Sequence, residues 1–411
     1  MAQPRSGHIR QRSPQIGHGR WAWIAFLALP TATALSQTDS MAVPISPIVV
    51  TVTRTPERSV LRSPFAISVI EPDSARFGRR PDLDRSLTLI PGLNATTRNN
   101  PSQDPRISIR GFGSRSAFGV RGIRILRDGI PLTLPDGQTP VDYLSLVSVG
   151  RIEVLRGAGS VLYGNASGGV VDFRTAPPSA RALSGEVAAS AGPSNYHRTV
   201  IAGSGTNGRL TYTGDAAFTA SDGERAHSRQ RSLLAFARST IATGSGEVAF
   251  SAMGLHNPLA QNPGALTLDE LKSDTRAADP FSIRRDARKS VQQLQLGSTY
   301  TRPLPNGRLW VAAFGGVRAL ENPLTFAIVD VHRSSAGASA LINRRTLLAG
   351  IQHSLTAGVD LQAQRDWRDN HLTCIDTVAV AVSVSCPDPG SERGRLTLRQ
   401  REQVASAGGY L

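Results

Sequence analysis

Lysine is almost absent from this chain. Of its 46 Lys plus Arg residues, only Lys272 and Lys289 are lysines. That absence bears on the most glycine-rich stretch, VGRIEVLRGAGSVLYGNASGGVVDFR at 149–174. A phosphate-cradling loop of the G-x-x-x-x-G-K-[ST] type needs a lysine that this stretch lacks. A dinucleotide-binding turn needs a third glycine where Leu162 stands. Cysteine is also scarce. Cys374 and Cys386 are the only two, too few for a disulfide scaffold and without a histidine pair for a zinc site. Apolar runs are short, and the only one of note, at 21–35, is broken by Pro30. A spanning helix needs about 20 apolar residues. The net charge of +15 is spread over scattered arginines rather than gathered in runs, which argues against nucleic acid. Eight histidines form no HExxH pair, no G-x-S-x-G elbow occurs, and no convergent carboxylate pair is evident, so nothing marks an enzyme.

What is present begins with an export signal. Arg5, Arg10, Arg12 and Arg20 precede the apolar run, and Ala34-Leu35-Ser36 supplies small residues for cleavage, giving a signal peptide over 1–36. A buried N-terminal helix is the alternative. After export, an oxidising compartment favours a local disulfide between Cys374 and Cys386, with a free buried pair as the alternative.

The remainder divides into two patterns. Up to about residue 178 the spacing predicts a small mixed domain. Short strands are expected at 48–54, 64–71, 107–113, 122–132, 150–157 and 168–175, with a short helix after Pro81 ended by Pro91-Gly92. Asp128-Gly129 and Asp136-Gly137 read as turns. From about 183 the chain alternates strictly. Leu210, Tyr212, Gly214, Ala216 and Phe218 share one face of a strand, and Thr211, Thr213, Asp215 and Thr219 the other. Gln293 and Gln295 oppose Leu294 and Leu296, and Asp360, Gln362 and Gln364 oppose Val359 and Leu361. Strands of about ten residues, short Asn- or Gly-bearing turns and two long polar connections (256–288 and 366–393) suit a transmembrane β-barrel. A soluble β-sandwich is the alternative. The fold class expected is mainly β: a small α+β domain followed by an incomplete antiparallel transmembrane β-barrel.

The run at 106–174 closely resembles the plug domain of TonB-dependent outer-membrane receptors, most of all those for ferric dicitrate and ferric siderophores. The matching pieces are Ile109-Arg110-Gly111-Phe112, Asp128-Gly129-Ile130-Pro131, Arg151-Ile152-Glu153-Val154-Leu155-Arg156-Gly157, and Tyr163-Gly164 followed by Gly168-Gly169-Val170. The resemblance is detailed over 45–180 and divides the chain into a signal peptide (1–36), a TonB-box segment (37–55), a plug (56–178) and the first part of a barrel wall (179–411). Residues 183–411 hold roughly ten strands at the usual spacing, fewer than half of about 22. A fragment of a barrel is therefore expected.

The resemblance also implies roles. Ile48, Val49, Val50, Thr51 and Val52 would form the TonB box, an extended segment gripped by an inner-membrane partner through β-strand addition; the first strand of the plug sheet is the alternative. Arg110 and Arg156 match family arginines that pair with barrel glutamates, and Glu153 would be a partner inside the plug. Gly111, Gly129, Gly157, Gly164, Gly168 and Gly169 would make tight turns and let the plug backbone pass close to the barrel wall. Arg98, Arg115, Arg121 and Gln138 lie in loops facing an anionic ligand. The implied partners are TonB with its motor proteins, a ferric chelate and outer-membrane lipid, with no cofactor and no nucleic acid. The implied function is TonB-driven import of ferric chelates at the outer membrane. A non-transporting fragment, a signalling receptor, or an importer of a non-iron substrate such as cobalamin are the alternatives.

Overall fold

The computed structural model describes residues 49–54, 58–59, 63–71, 83–97, 100–116, 119–157, 159–375, 386 and 392–411. The expected signal peptide, Ile48 and Arg98 lie outside these residues.

The N-terminal part is built from short strands. β1 (Val49–Val50) pairs antiparallel with β2 (Arg58–Ser59). β3 (Ala66–Ile70) precedes α1 (Leu83–Leu87), and β4 (Leu93–Thr96) pairs with β5 (Arg106–Ile109). Next come β6 (Val120–Arg121), β7 (Ile123–Arg127), β8 (Ile130–Pro131), β9 (Gln138–Thr139) and β10 (Val149–Arg156). α2 (Ser160–Tyr163) and β11 (Gly169–Thr175) complete it. The central sheet has the order β3-β10-β11-β7-β8, with β7 and β11 parallel. All five residues of β7 are buried. Strands covered on both faces lose alternation, which is why this part reads as short apolar runs. Only Val49–Val50 of the expected strand at 48–54 is extended in a ladder; residues 52–54 turn.

The second part is a ten-stranded antiparallel sheet, each strand paired with its sequence neighbours. Its strands are β12 (Ser184–Gly192), β13 (Tyr196–Asn207), β14 (Leu210–Ser221), β15 (Gln230–Thr243) and β16 (Gly246–Gln261). Two short helices follow, α3 (Leu268–Ser273) and α4 (Pro280–Arg284). Then come β17 (Arg288–Leu304), β18 (Gly307–Pro323), β19 (Ala327–Leu348), β20 (Ile351–Thr373) and β21 (Arg393–Tyr410). β12 and β21 are the two edges. The count of ten matches the expectation from spacing. The lengths do not: β19 has 22 residues and β20 has 23. An apolar band of about 25 Å sets only the minimum of a barrel strand, and the polar stretch after Asp366 continues β20 rather than opening a loop. No helix among the described residues is long and apolar enough to cross a membrane.

Burial decides between barrel wall and soluble sandwich. The polar alternates are the buried ones: Asp215, Gln295, Gln362 and Gln364 are each less than 10% exposed. The apolar alternates Phe218, Leu296 and Leu361 are about half exposed, at 47%, 54% and 51%. A sandwich in water would bury the second set. The sheet therefore turns its polar face to the N-terminal domain and its apolar face outward, as a barrel wall does. Wall residues Phe236, Met253, Leu255 and Val291 join the same apolar cluster as the plug residues Ile107, Ile125 and Val154.

Candidate functional site

Residues 50–54 are bound along their whole length. Val50 and Val52 are fully buried in an apolar cluster with Ile67, Leu126, Leu155 and Tyr163. Burying a valine side chain contributes about 1.5–3 kcal/mol. The backbone between them is held by one carboxylate. Glu153 accepts the N–H of Thr51 at 2.8 Å, the N–H of Val52 at 2.9 Å and the Thr51 hydroxyl at 3.1 Å. Arg174 donates to the same hydroxyl at 2.5 Å, and the Tyr163 hydroxyl donates to the Val52 carbonyl at 2.9 Å.

Arg54 ties this segment to the wall. It has a left-handed backbone, φ 57°. Its guanidinium makes a two-pronged bond to Asp360 on β20, at 2.6 and 3.2 Å, and a third to the Leu162 carbonyl at 2.8 Å. It stacks over the rings of Tyr163 and Tyr410 at 4.0 and 4.8 Å. The Arg54 carbonyl accepts from Asn343 of β19 at 2.9 Å. Burial opposes the Arg54 charge, but Tyr163, Asp360 and Tyr410 outweigh it and raise its pKa.

Beneath the segment lies a quartet of charges on two adjacent strands. Glu153 of β10 stands directly opposite Asp172 of β11. Arg151 and Arg174, one pleat along, are also opposite each other. Arg151 pairs with Glu153 at 2.7 Å and Arg174 with Asp172 at 2.8 Å. Both carboxylates are completely buried. Burial pushes the Asp172 carboxyl up to about 6; Arg174 opposes this, and Glu153 and Asp128 reinforce it. Asp128 is different. Burial is outweighed by Arg127, Arg238 and the Thr175 hydrogen bonds, which hold it below the usual carboxylate range.

Elsewhere the plug meets the wall through polar seams. Asp142 receives Arg318 of β18 at 2.9 and 2.7 Å and lies 3.6 Å from Lys289 of β17. Lys289 also bonds Asp104 at 2.7 Å. Burial would raise the Asp142 carboxyl, but Arg318 and Lys289 hold it well below the usual range. Arg333 of β19 reaches Gln138 at 3.2 Å and pairs with Asp366 at 2.5 Å. Tyr143 bonds Gln295 at 2.6 Å, Ser145 bonds Asp215 at 2.5 Å, and Arg124 reaches Gln362 at 3.2 Å. Arg238 lies 3.7 Å from Asp128. Burial lowers the Arg124 guanidinium to about 10. Apart from Asp128, which belongs to the Asp128-Gly129-Ile130-Pro131 turn, and Gln138, these residues carry no local motif.

Arg110 and Arg156, the expected latch residues, have their described contacts inside the plug. Among the described residues neither Arg110 nor Arg156 pairs with a wall carboxylate. Arg156, at the end of β10, donates to the Pro91 carbonyl at 3.0 Å. Arg110 has φ 49° and gives its backbone N–H to Gly92. Both contacts fall on the turn after α1. Glu153 does lie inside the plug, but its ligand is the segment at 51–52.

The glycines also need correcting. Gly157, Gly164 and Gly169 have positive φ, as their turns require. A Cβ on Gly164 would meet open space, and the neighbours of Gly157 and Gly169 are plug atoms. A Cβ on Gly168 would lie 2.5 Å from Phe112, and one on Gly169 2.2 Å from the Leu155 carbonyl. The loop folds on itself around α2, with Gly157 bonded to Gly168 and Gly168 to Gly122. Gly111, at φ 87°, faces open space. Only Gly129 of the expected set meets the wall, at Trp310. The wall reciprocates at Gly297, where a Cβ would lie 2.5 Å from Ile130.

Of the expected ligand-facing residues, Arg115 is exposed. Arg121 is half exposed and donates to the Asp136 carbonyl at 2.9 Å. Gln138 is partly buried against Arg333. Cys374 and Cys386 are joined in a disulfide between β20 and β21.

The family model described as the TonB-dependent Receptor Plug Domain matches residues 59–170. The hemin receptor of Yersinia enterocolitica is 29% identical over 174 residues, 42% of this chain and 24% of that protein. The hemin receptor of Yersinia pestis is 30% identical over 166 residues, 38% and 23% of the two chains. Among solved structures, the unliganded ferric citrate transporter FecA superposes with a TM-score of 0.67 at 19% identity, over 84% of this chain and 53% of that one. The ferric yersiniabactin uptake receptor FyuA of Yersinia pestis gives 0.62 at 17%, over 78% and 51%. The chain thus spans about half the length of these receptors and about a quarter of the hemin receptors. Residues 59–170 thus match the plug-domain family of TonB-dependent receptors, and the described chain has the fold of the solved receptors of that kind.

Proposed function

We propose that this chain supplies the plug, the coupling segment and ten wall strands of an outer-membrane importer of anionic ferric chelates, driven from the periplasm by TonB. The observation that carries the reading is the double anchoring of residues 50–54, to the plug through Glu153 and to the wall through Arg54. A segment buried this way transmits a pull to both parts at once. The plug–wall contact combines an apolar cluster with ion pairs and hydrogen bonds, and the polar part can exchange its partners for water when the segment is pulled.

The substrate class rests on the apical loops. Residues 97–104, 114–121 and 134–139 carry Arg98, Arg115 and Arg121 but no His, Cys, Met or Tyr. Such loops offer charge-assisted hydrogen bonds to an anion and none of the usual axial ligands for haem iron. A second reading, hemin uptake, is favoured by the two sequence relatives that are hemin receptors. Residues Arg110, Arg156 and the tight-turn glycines keep the plug's own shape in this reading rather than latch it to the wall.

The test is uptake of labelled ferric citrate, a ferric hydroxamate and hemin by receptor-deficient cells carrying the gene, with and without TonB. Val50→Pro removes an N–H from the segment and disfavours strand addition. It is expected to abolish TonB-dependent uptake while leaving chelate binding intact. Uptake of the chelates by Val50→Pro cells at the unsubstituted rate contradicts the energy-coupling reading; uptake of hemin alone selects the second substrate.

A further inference from the structure

A partner strand that adds to residues 48–52 must take main-chain hydrogen bonds from that segment. In this structure those groups are already occupied. The N–H groups of Thr51 and Val52 both go to Glu153, the Val52 carbonyl goes to Tyr163, and Val49 and Val50 pair with β2. The carboxylate that holds them is built for the task. It is fully buried, is fixed by Arg151, and lies on the face of β10 that the segment covers.

We propose that the Arg151–Glu153 and Asp172–Arg174 quartet is an internal peptide-binding site whose ligand is the backbone of Thr51 and Val52, and that it competes with the periplasmic partner for those N–H groups. The inference rests on the coupling reading above for the identity of the competitor, but not for the clasp itself.

The arrangement has a consequence for the plug. While the segment is bound, Glu153 receives two backbone N–H groups and a hydroxyl in addition to Arg151. When the segment leaves, Glu153 keeps only Arg151 and still faces Asp172 across the ladder. Arg174 loses the Thr51 hydroxyl at the same moment. A buried carboxylate stripped of donors and set beside a second one is costly, because like charges in a poorly solvated site repel and lack compensation. Withdrawal of the segment therefore loads the β10–β11 pair, the centre of the plug sheet. Extraction and plug loosening become one event through named charges.

The signal was present in the sequence as R-I-E at 151–153 and D-F-R at 172–174. Alternate residues on a strand share a face, so each triplet places a cation and an anion together. What sequence could not give was the register that sets the two carboxylates opposite each other.

The experiment is amide hydrogen exchange of residues 50–54 in the purified chain, in detergent, with Glu153→Gln against the unsubstituted protein. Loss of a charge-assisted hydrogen bond is expected to speed exchange at Thr51 and Val52 by about tenfold or more. Thr51→Val lies outside the plug sheet and removes only the hydroxyl contacts; a smaller acceleration confined to the segment is expected. It keeps the test open if Glu153→Gln fails to fold. In the second arm, the purified periplasmic domain of TonB is expected to bind Glu153→Gln about tenfold more tightly than the unsubstituted chain, without any chelate. Unchanged exchange in both Glu153→Gln and Thr51→Val overturns the clasp. Faster exchange with no TonB binding to either protein leaves the clasp standing and overturns the coupling reading instead.

Discussion

Two seams between plug and wall are charged in opposite senses. At the upper seam, beside the long connection that precedes β17, the plug presents carboxylates, Asp104 and Asp142, to the cations Lys289 and Arg318. At the lower seam, around residues 50–54, the plug presents Arg54 to Asp360 of β20, while Asp128 beyond it still faces Arg238 of β15. The difference teaches how a small domain can be held through distinct charged contacts at separate places. The Asp142 pairs hold it to β17 and β18, and the Arg54 pair holds it to β20.

The comparison is broken most severely at the upper end. Asp142→Asn leaves Arg318 and Lys289 poorly compensated in a buried seam. Removing one partner of a buried ion pair costs about 3–5 kcal/mol. Lowered thermal stability with faster proteolysis of the loops around 100–104 and 134–142 is the expected outcome, measured against the unsubstituted protein. A change within experimental scatter would mean that the seam does not seat the plug.

The lower end has a smaller expected effect, of opposite sign. Asp172 lies in the plug interior beneath the segment, and its carboxyl is pushed up to about 6. In the unfolded chain it titrates near the ordinary value of about 3.9. The folded state therefore holds this proton more tightly, and the stability linked to it is fully present below about pH 4 and lost as pH rises through about 6. Asp172→Asn mimics the protonated form. It is expected to stabilise the protein at pH 7.5 by up to about 3 kcal/mol. The gain should shrink as pH falls toward 4, in thermal unfolding followed across that range. A loss at pH 7.5 would show that the Arg174 pair outweighs burial, and a gain independent of pH would show that titration of this carboxyl is not its source.

The wall was far more legible in sequence than the plug, for a physical reason. A wall strand separates two unlike environments, so period-two alternation is written plainly in 210–219 and 357–364. The number of wall strands followed from spacing alone. Their ends did not, because β20 continues past the apolar band with Arg365, Asp366 and Arg368, residues that also suit a loop. In the plug, α1, β3, β10 and β11 lay close to where turn residues and apolar runs put them. The functional contacts were the least legible. Arg54 and Asp360 are 306 positions apart, and no local pattern couples them. Arg110 and Arg156 match a motif, yet they serve the turn at Pro91-Gly92. A motif preserves residue type at a position; which neighbour that residue meets is decided by packing.

The central claim is that the described residues of the plug sit against the inner face of the ten-stranded wall. Its most direct measurement is a cross-link between Ile130→Cys and Gly297→Cys in the outer membrane. A Cβ on Gly297 would lie 3.7 Å from Ile130 Cγ1, so two cysteines there are within bonding reach. Near-complete disulfide formation, seen as a reducible shift in gel mobility and as the linked peptide by mass spectrometry, is the expected result. Two thiols that remain free and equally open to labelling would contradict the account.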